Sequence, residues 1–159
     1  MEKPVYYTSK AHLANYKLLM SKNEECKSPE LTAACYILAG VGTLEDMDHA
    51  ETFGANAEVR YEARAPGLNL PQGTAPIDLI EKFVDAGKID FEGILEGVGS
   101  NSAYRALIKL AANLYDSNNY ANVNNTFSPL NDEYQAIAYQ ALLILFPSFS
   151  KSFAGRYYR

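Results

Sequence analysis

The sequence has no tryptophan, only two cysteines and only two histidines among its 159 residues. Each shortage closes a route. Cys26 and Cys35 flank Ser28-Pro29, and with His12 and His49 they form no zinc-ligand spacing, so neither a metal nor any other cofactor is expected. Two histidines also leave few ways to build a Ser-His or Cys-His pair, and Gly-x-Ser-x-Gly is missing, so no catalytic residue is assigned. Long apolar runs are absent too. A run such as "ALLILF" at 141–146 falls far short of the roughly 18 residues needed to span a bilayer. The opening "MEKPVYYTSK" carries no apolar segment behind a positive start, which reads as no secretory signal. A cytoplasmic protein with two buried, reduced thiols is the simplest expectation.

What is present is ordinary globular material. Hydrophobic residues make up 48% and charged residues 21%, enough for one domain over 1–159 with a substantial core. The net charge of −5 argues against a broad nucleic-acid surface while leaving room for a local basic patch. Twelve tyrosines suit half-buried positions and interfaces, since the ring packs while the hydroxyl stays wet. Self-association is one expectation from that count.

Most of the chain reads as helices. Ser9 caps a first one, with Leu13, Tyr16, Leu19 and Met20 on its apolar side. In "SPELTAACYILAG", Ser28 is the N-cap, Pro29 the first helical residue, and Gly40 stands where a left-handed C-terminal residue belongs. Ala33 to Ala39 is apolar on every side, the mark of a helix buried all round. Thr43 caps a short segment, "LEDMDHAETF". There Glu45, Asp46, Asp48, His49 and Glu51 read as a solvated acidic helix start rather than a metal site. "AEVRYEAR" at 57–64 alternates apolar and charged residues, as a strand does, with "PVYYT" as its candidate partner. Its composition also suits a helix, and that choice stays open.

The composition changes at "APGLNLPQGTAP", 65–76, a loop that serves as a hinge or as a flap over a pocket. A helix is expected from Pro76 to about Ala86, ended by Gly87. Asp90 then caps a short one carrying Phe91, Ile94, Leu95 and Val98. The last helix, "LNDEYQAIAYQALLILFP", is capped by Asn131 and closed by Pro147.

Two stretches are candidates for binding. In "GVGSNSAYRALIKLAANLYD", 97–116, Ala103, Ala106, Leu107, Leu110, Ala111 and Leu114 make a sustained core face. Asn101 or Ser102 caps that helix, which accounts for the small polar residues without a ligand. Read functionally, the same free N–H groups with Ser100, Asn101, Ser102 and Arg105 could hold a phosphate or carboxylate. The glycine order fits neither a P-loop nor a dinucleotide fingerprint, so the capping reading is preferred. The tail, 148–159, interleaves Lys151, Arg156 and Arg159 with Phe149, Phe153, Tyr157 and Tyr158. Arginine beside aromatics is the chemistry of protein hot spots and of single-stranded nucleic-acid stacking. The alternative is that its aromatics pack back on the domain.

Three helical stretches, "YKLLMSKNEECKSPELTAACYILAG", "SAYRALIKLAANLYD" and "PLNDEYQAIAYQALLILF", together resemble a family of small uncharacterised bacterial proteins associated with phages and mobile elements. The resemblance covers about half the chain, through hydrophobic helix patterns, and departs from it between Met47 and Gly99. It implies a compact helical domain and carries no activity.

The expectation is therefore a mainly α, single multi-helix domain with at most a minor two-stranded β element. Its centre lies on the helices of Cys35, Leu110 and Leu142. The leading functional reading is a non-enzymatic protein-interaction module, a phage or mobile-element accessory or inhibitor, using its tail. One alternative is a small-ligand binder or enzyme with a pocket near Arg105 and the 65–76 loop. The other is nucleic-acid binding through the tail.

Overall fold

The most apolar segment of the sequence becomes the central helix of the molecule. In the computed structural model, which describes residues 5–43 and 75–149, helix α2 runs Pro29–Gly40. Ser28 caps it, its hydroxyl accepting from Leu31 N at 3.1 Å, and Pro29 costs nothing at a position whose N–H is unused. Leu31 and every residue from Ala33 to Gly40 are buried. Three helices cover it: α1 (Lys10–Ser21), α5 (Ser102–Tyr115) and α7 (Asp132–Leu145). With α3 (Pro76–Ile80), α4 (Phe91–Val98) and α6 (Val123–Phe127) they give seven α-helices among the described residues. The fold is mainly α, with one small hairpin.

Local chemistry sets the helix starts. Ser9, Asp90, Asn101, Asn122 and Asn131 each cap the following helix through a side-chain oxygen that takes a first-turn N–H, removing one orphan donor apiece. Helix α5 buries Tyr104, Leu107, Ile108, Leu110, Ala111 and Leu114 among others, and α7 buries Tyr134, Ile137, Ala138 and Ala141. The helices of Cys35, Leu110 and Leu142 do pack together at the centre.

The structure differs from the sequence-based expectation at four places. Gly40 is the last helical residue of α2, and the left-handed position belongs to Gly42, at φ 77°. Gly40 is needed for closeness instead: a Cβ there would lie 2.7 Å from Ile137 Cδ1 and 3.3 Å from His12 Nε2. The helix expected to reach Ala86 stops at Ile80 and passes through a 3-10 turn, Glu81–Phe83. Strands β1 (Val84–Asp85) and β2 (Lys88–Ile89) follow as an antiparallel pair. The minor β element is therefore this hairpin; residues 57–64, where a strand was considered, lie outside the described residues.

The hairpin turn is Ala86-Gly87, with φ 47° and 81°. Two positive φ angles match the twist of the flanking strands, but alanine is a poor residue for that region. Tertiary anchors hold it. Ala86 N donates to Lys22 O at 3.2 Å, Gly87 N to Asn23 Oδ1 at 2.6 Å, and Tyr115 Oη to Gly87 O at 2.7 Å. Lys22 Nζ also donates to Glu81 O. Finally, Cys26 is exposed and only Cys35 is buried, because Cys26 sits in a 3-10 turn at the surface beside the hairpin tip.

Candidate functional site

The segment before α5 is a junction between two helices. Gly99 ends α4 in the left-handed region, at φ 77°, and Asn101 Oδ1 accepts from Tyr104 N at 3.0 Å. Arg105 reaches back: its Nη1 donates to Leu95 O at 2.9 Å and to Gly99 O at 3.0 Å. One guanidinium nitrogen thus satisfies carbonyls that the end of α4 leaves open. The cap is real and Arg105 holds the junction, with its other nitrogens left over.

Three of the four anion candidates converge beyond that junction. Ser100, Ser102 and Arg105 line a groove of about 520 Å³ together with Lys109, Glu92, Phe91 and Leu95. Asn101 is spent as the cap. The opposite wall is the asparagine-rich turn, contributing Asn119, Tyr120, Asn122 and Asn125. Composition marked that tract only as biased. Its role appears once Asn122 Oδ1 caps the short α6 by accepting from Asn125 N at 3.1 Å and Asn119 Nδ2 ties the turn to Ala112 O at 3.0 Å.

A larger groove, about 1140 Å³, opens on the other side of the same turn; Ala121 and Thr126 line both. Its apolar wall is Leu31, Leu110, Leu114, Phe127, Leu142, Leu145 and Phe146, with Glu30, Lys88, Asp116 and Cys26 around it. Nothing local in the sequence announces it, because it forms between the start of α2, the hairpin tip and the ends of α5 and α7. Of the tail candidates, Phe149 is described: it is 48% exposed, with its ring centroid 5.8 Å from that of Phe146. Lys151, Phe153, Arg156, Tyr157, Tyr158 and Arg159 lie outside the described residues, as do the acidic segment from Glu45 to Glu51 and the loop over 65–74. Among the described residues no three His, Cys, Asp or Glu side chains gather as metal ligands, and no helix is long and apolar enough to cross a membrane.

A third polar constellation is buried rather than open. His12 is fully buried between α1 and α2. Its Nε2 lies 2.8 Å from Tyr36 O, and its Nδ1 lies 3.3 Å from Thr8 N and 3.2 Å from Thr8 Oγ1. A carbonyl only accepts and an amide N–H only donates, so the ring is neutral with its proton on Nε2. Tyr7 and Tyr36 pack against it, the Tyr36 ring centroid at 4.6 Å, and Tyr16 packs on both tyrosines. Burial lowers the His12 pKa, against the hydrogen bond to Tyr36 O that raises it. Burial also pushes Tyr16 up to about 12, helped by Tyr7 and Cys35, and Cys35 up to about 12. His12 bridges the two helices through its bond to Tyr36 O, and the buried rings pack around that bond. They keep α1 on α2.

Compared with protein-family models, curated proteins and solved structures, the chain matches none.

Proposed function

We propose that this chain is a protein-interaction module that seats an amphipathic helix of a partner protein in its larger groove. The observation that carries the reading is the apolar wall at the end of α7, where Leu142 and Leu145 in its last turn are followed by Phe146 just past the helix end and by Phe149, which packs on Phe146. Leu142, Leu145 and Phe146 form one wall of the groove, and both phenylalanines are 48% exposed. Helix α7 already buries Tyr134, Ile137, Ala138 and Ala141 in the core. Leu142, Leu145 and Phe146 leave apolar surface open to the groove, although Leu142 and Leu145 also pack against the core. An apolar groove of this kind is complemented by an amphipathic helix that lays its apolar face into it. Covering two half-exposed phenylalanines adds about 1 kcal/mol each, half the value for a fully exposed side chain. Glu30, Lys88 and Asp116 beside the groove would set register and partner choice more than affinity.

Tyrosine abundance, the aromatic-basic residues that follow Phe149, and the want of a nucleophile–base motif support binding over catalysis. A phage or mobile-element setting rests on the resemblance of the three helical stretches alone.

The test is a native mass spectrum of the protein purified gently from its own cells after mild crosslinking, beside Leu145→Lys and Phe146→Ser. The expected result is a second protein on the wild type, lost in both variants while their melting temperatures stay within a few degrees. A mass raised by 17.6 kDa would make the occupant a second copy of the chain. A bare monomer, or a partner retained by both variants, overturns the reading.

A further inference from the structure

We propose that the smaller groove is a binding site for a nucleoside monophosphate, with the phosphate held by Arg105 and Lys109 and the base stacked on Tyr120. The proposal does not depend on the larger groove.

The cationic side comes from one face of α5. Ser102, Arg105 and Lys109 stand at i, i+3 and i+7 and all line the groove, as the helical period requires. Arg105 is oriented by its two carbonyl bonds through Nη1, which leaves Nη2 and Nε as donors in a fixed plane. Lys109 is exposed and makes no hydrogen bond or ion pair among the described residues. Among the described residues Glu92 is the one carboxylate lining the groove, which leaves a local excess of one positive charge on a chain whose net charge is −5. A pair of cations one helical turn apart, one preorganised and one mobile, suits a phosphate monoester better than a single carboxylate. Arginine supplies planar paired donors and lysine a point charge. The Ser102 hydroxyl adds a neutral donor on the same face.

The facing wall suits a flat ring. Tyr120 is 80% exposed, which is unusual for a ring that gains by covering its faces. It is not loose: its hydroxyl accepts from Asn122 Nδ2 at 3.3 Å, and the backbone beside it is tied to α5 through Asn119. A tethered, uncovered aromatic ring is a stacking platform, and nucleobases use such platforms whatever their identity. The side-chain amide of Asn125 also lines this wall and has no hydrogen bond among the described residues, leaving one donor pair and one acceptor for a base edge. Phe91, Leu95, Ala106 and Ala112 give the groove an apolar floor. Its volume of about 520 Å³ falls within the usual range of small-ligand sites. An inorganic anion would use the cations and leave the ring and the amide idle; an uncharged ring would do the reverse. A base joined to a phosphate through a ribose uses both.

The experiment is calorimetric titration of the full chain with AMP, GMP, CMP and UMP, each compared with its nucleoside and with inorganic phosphate. At least one nucleotide is expected to bind, with its nucleoside and phosphate alone each about tenfold weaker or more, the size of one charge-assisted contact. Lys109→Gln and Tyr120→Ala alter exposed side chains and leave the fold intact, which a thermal melt checks. Lys109→Gln should weaken the nucleotide about tenfold and leave the nucleoside unchanged, while Tyr120→Ala should weaken both and leave phosphate unchanged. Overturning results are no binding by any of the four, phosphate binding as tightly as the nucleotides, or binding indifferent to both variants. A short single-stranded oligonucleotide binding far more tightly per chain than any mononucleotide would also overturn it, in favour of a strand as the ligand.

Discussion

His12 Nε2 donates to Tyr36 O across 2.8 Å, and this one bond fixes the protonation state of a buried ring. With Nδ1 accepting from Thr8 N, an added proton would break that bond and set N–H against N–H, leaving only the Thr8 hydroxyl oxygen to accept it. The ring is faced by Thr8, Tyr7, Tyr36 and the close approach of Gly40, and by no charged group among the described residues. The folded state therefore holds the histidine neutral below its ordinary pKa of about 6.5, in agreement with the lowering by burial. In the unfolded chain the ring takes up its proton through that pKa. The stability due to neutral His12 is thus complete above about pH 6.5 and is lost progressively as pH falls below it.

His12→Phe keeps a ring in the site and removes both hydrogen bonds. It should cost about 1–3 kcal/mol at pH 7.5, the usual range for leaving buried polar partners unmet. The pH dependence is the sharper readout. Because the variant cannot gain a proton on unfolding, the gap between wild type and variant should narrow from pH 7.5 to pH 5. Denaturant melts at the two pH values measure it, and a gap that stays constant would show that His12 does not titrate with unfolding.

Gly40→Ala places a methyl carbon 2.7 Å from Ile137 Cδ1, in the contact between helices α2 and α7. The expected loss is about 1–3 kcal/mol, as for other overpacked cores. The atom in the way is the far end of a side chain, so shortening that side chain should give part of the loss back. Gly40→Ala with Ile137→Val should be less destabilised than the sum of the two single changes, by a coupling of about 0.5 kcal/mol or more. Additive losses in a double-mutant cycle would mean the strain lies elsewhere, against the His12 ring.

Helix starts were legible because a cap is local chemistry. Ser28 with Pro29, and Asn101 and Asn131 before their apolar periods, state their helices within four residues of sequence. The helix buried all round was equally plain from Ala33 to Ala39. The hairpin was not, because Asp85-Ala86-Gly87-Lys88 is a poor turn on its own terms and is held by Lys22, Asn23 and Tyr115 from elsewhere in the chain. His12 gave no sign, since a histidine in the first turn of an amphipathic helix looks the same whether buried or wet. The smaller groove was half legible: Ser100, Ser102 and Arg105 were visible candidates, but their facing wall lies 14 to 25 residues away and joins them only through the α5–α6 turn. The larger groove draws on five separate segments and has no local signature.

The Ala86-Gly87 turn offers substitutions of opposite sign. Ala86→Gly relieves a side chain at φ 47° and should stabilise by up to about 1 kcal/mol, the steric gain being offset by the freer unfolded chain. Gly87→Ala adds a side chain at φ 81° and brings a Cβ within 2.8 Å of Cys26 Cβ. It should destabilise by about 1–3 kcal/mol. Chemical denaturation of the two variants decides the matter; a destabilising Ala86→Gly would show that the backbone anchors, not the side chain, set the cost of this turn.

The two thiols should part company in reactivity. Cys35 is buried inside α2 and its pKa is pushed up to about 12 by burial, so thiolate at neutral pH is scarce and reagent cannot reach it. Cys26 is exposed and lines the larger groove. A disulfide reagent should therefore modify one thiol per native chain and two after denaturation. The site of the fast thiol adds a second use. If a partner helix occupies the groove beside Leu145 and Phe146, its presence should slow modification of Cys26, and a bulky adduct on Cys26 should weaken the partner in turn, since two ligands that exclude each other do so reciprocally. Mononucleotides, which the smaller groove would take through Arg105 and Lys109, should leave the rate at Cys26 unchanged. Equal protection by both would mean that the turn from Asn119 to Asn125, whose neighbours Ala121 and Thr126 line both grooves, moves as one piece and couples the two sites.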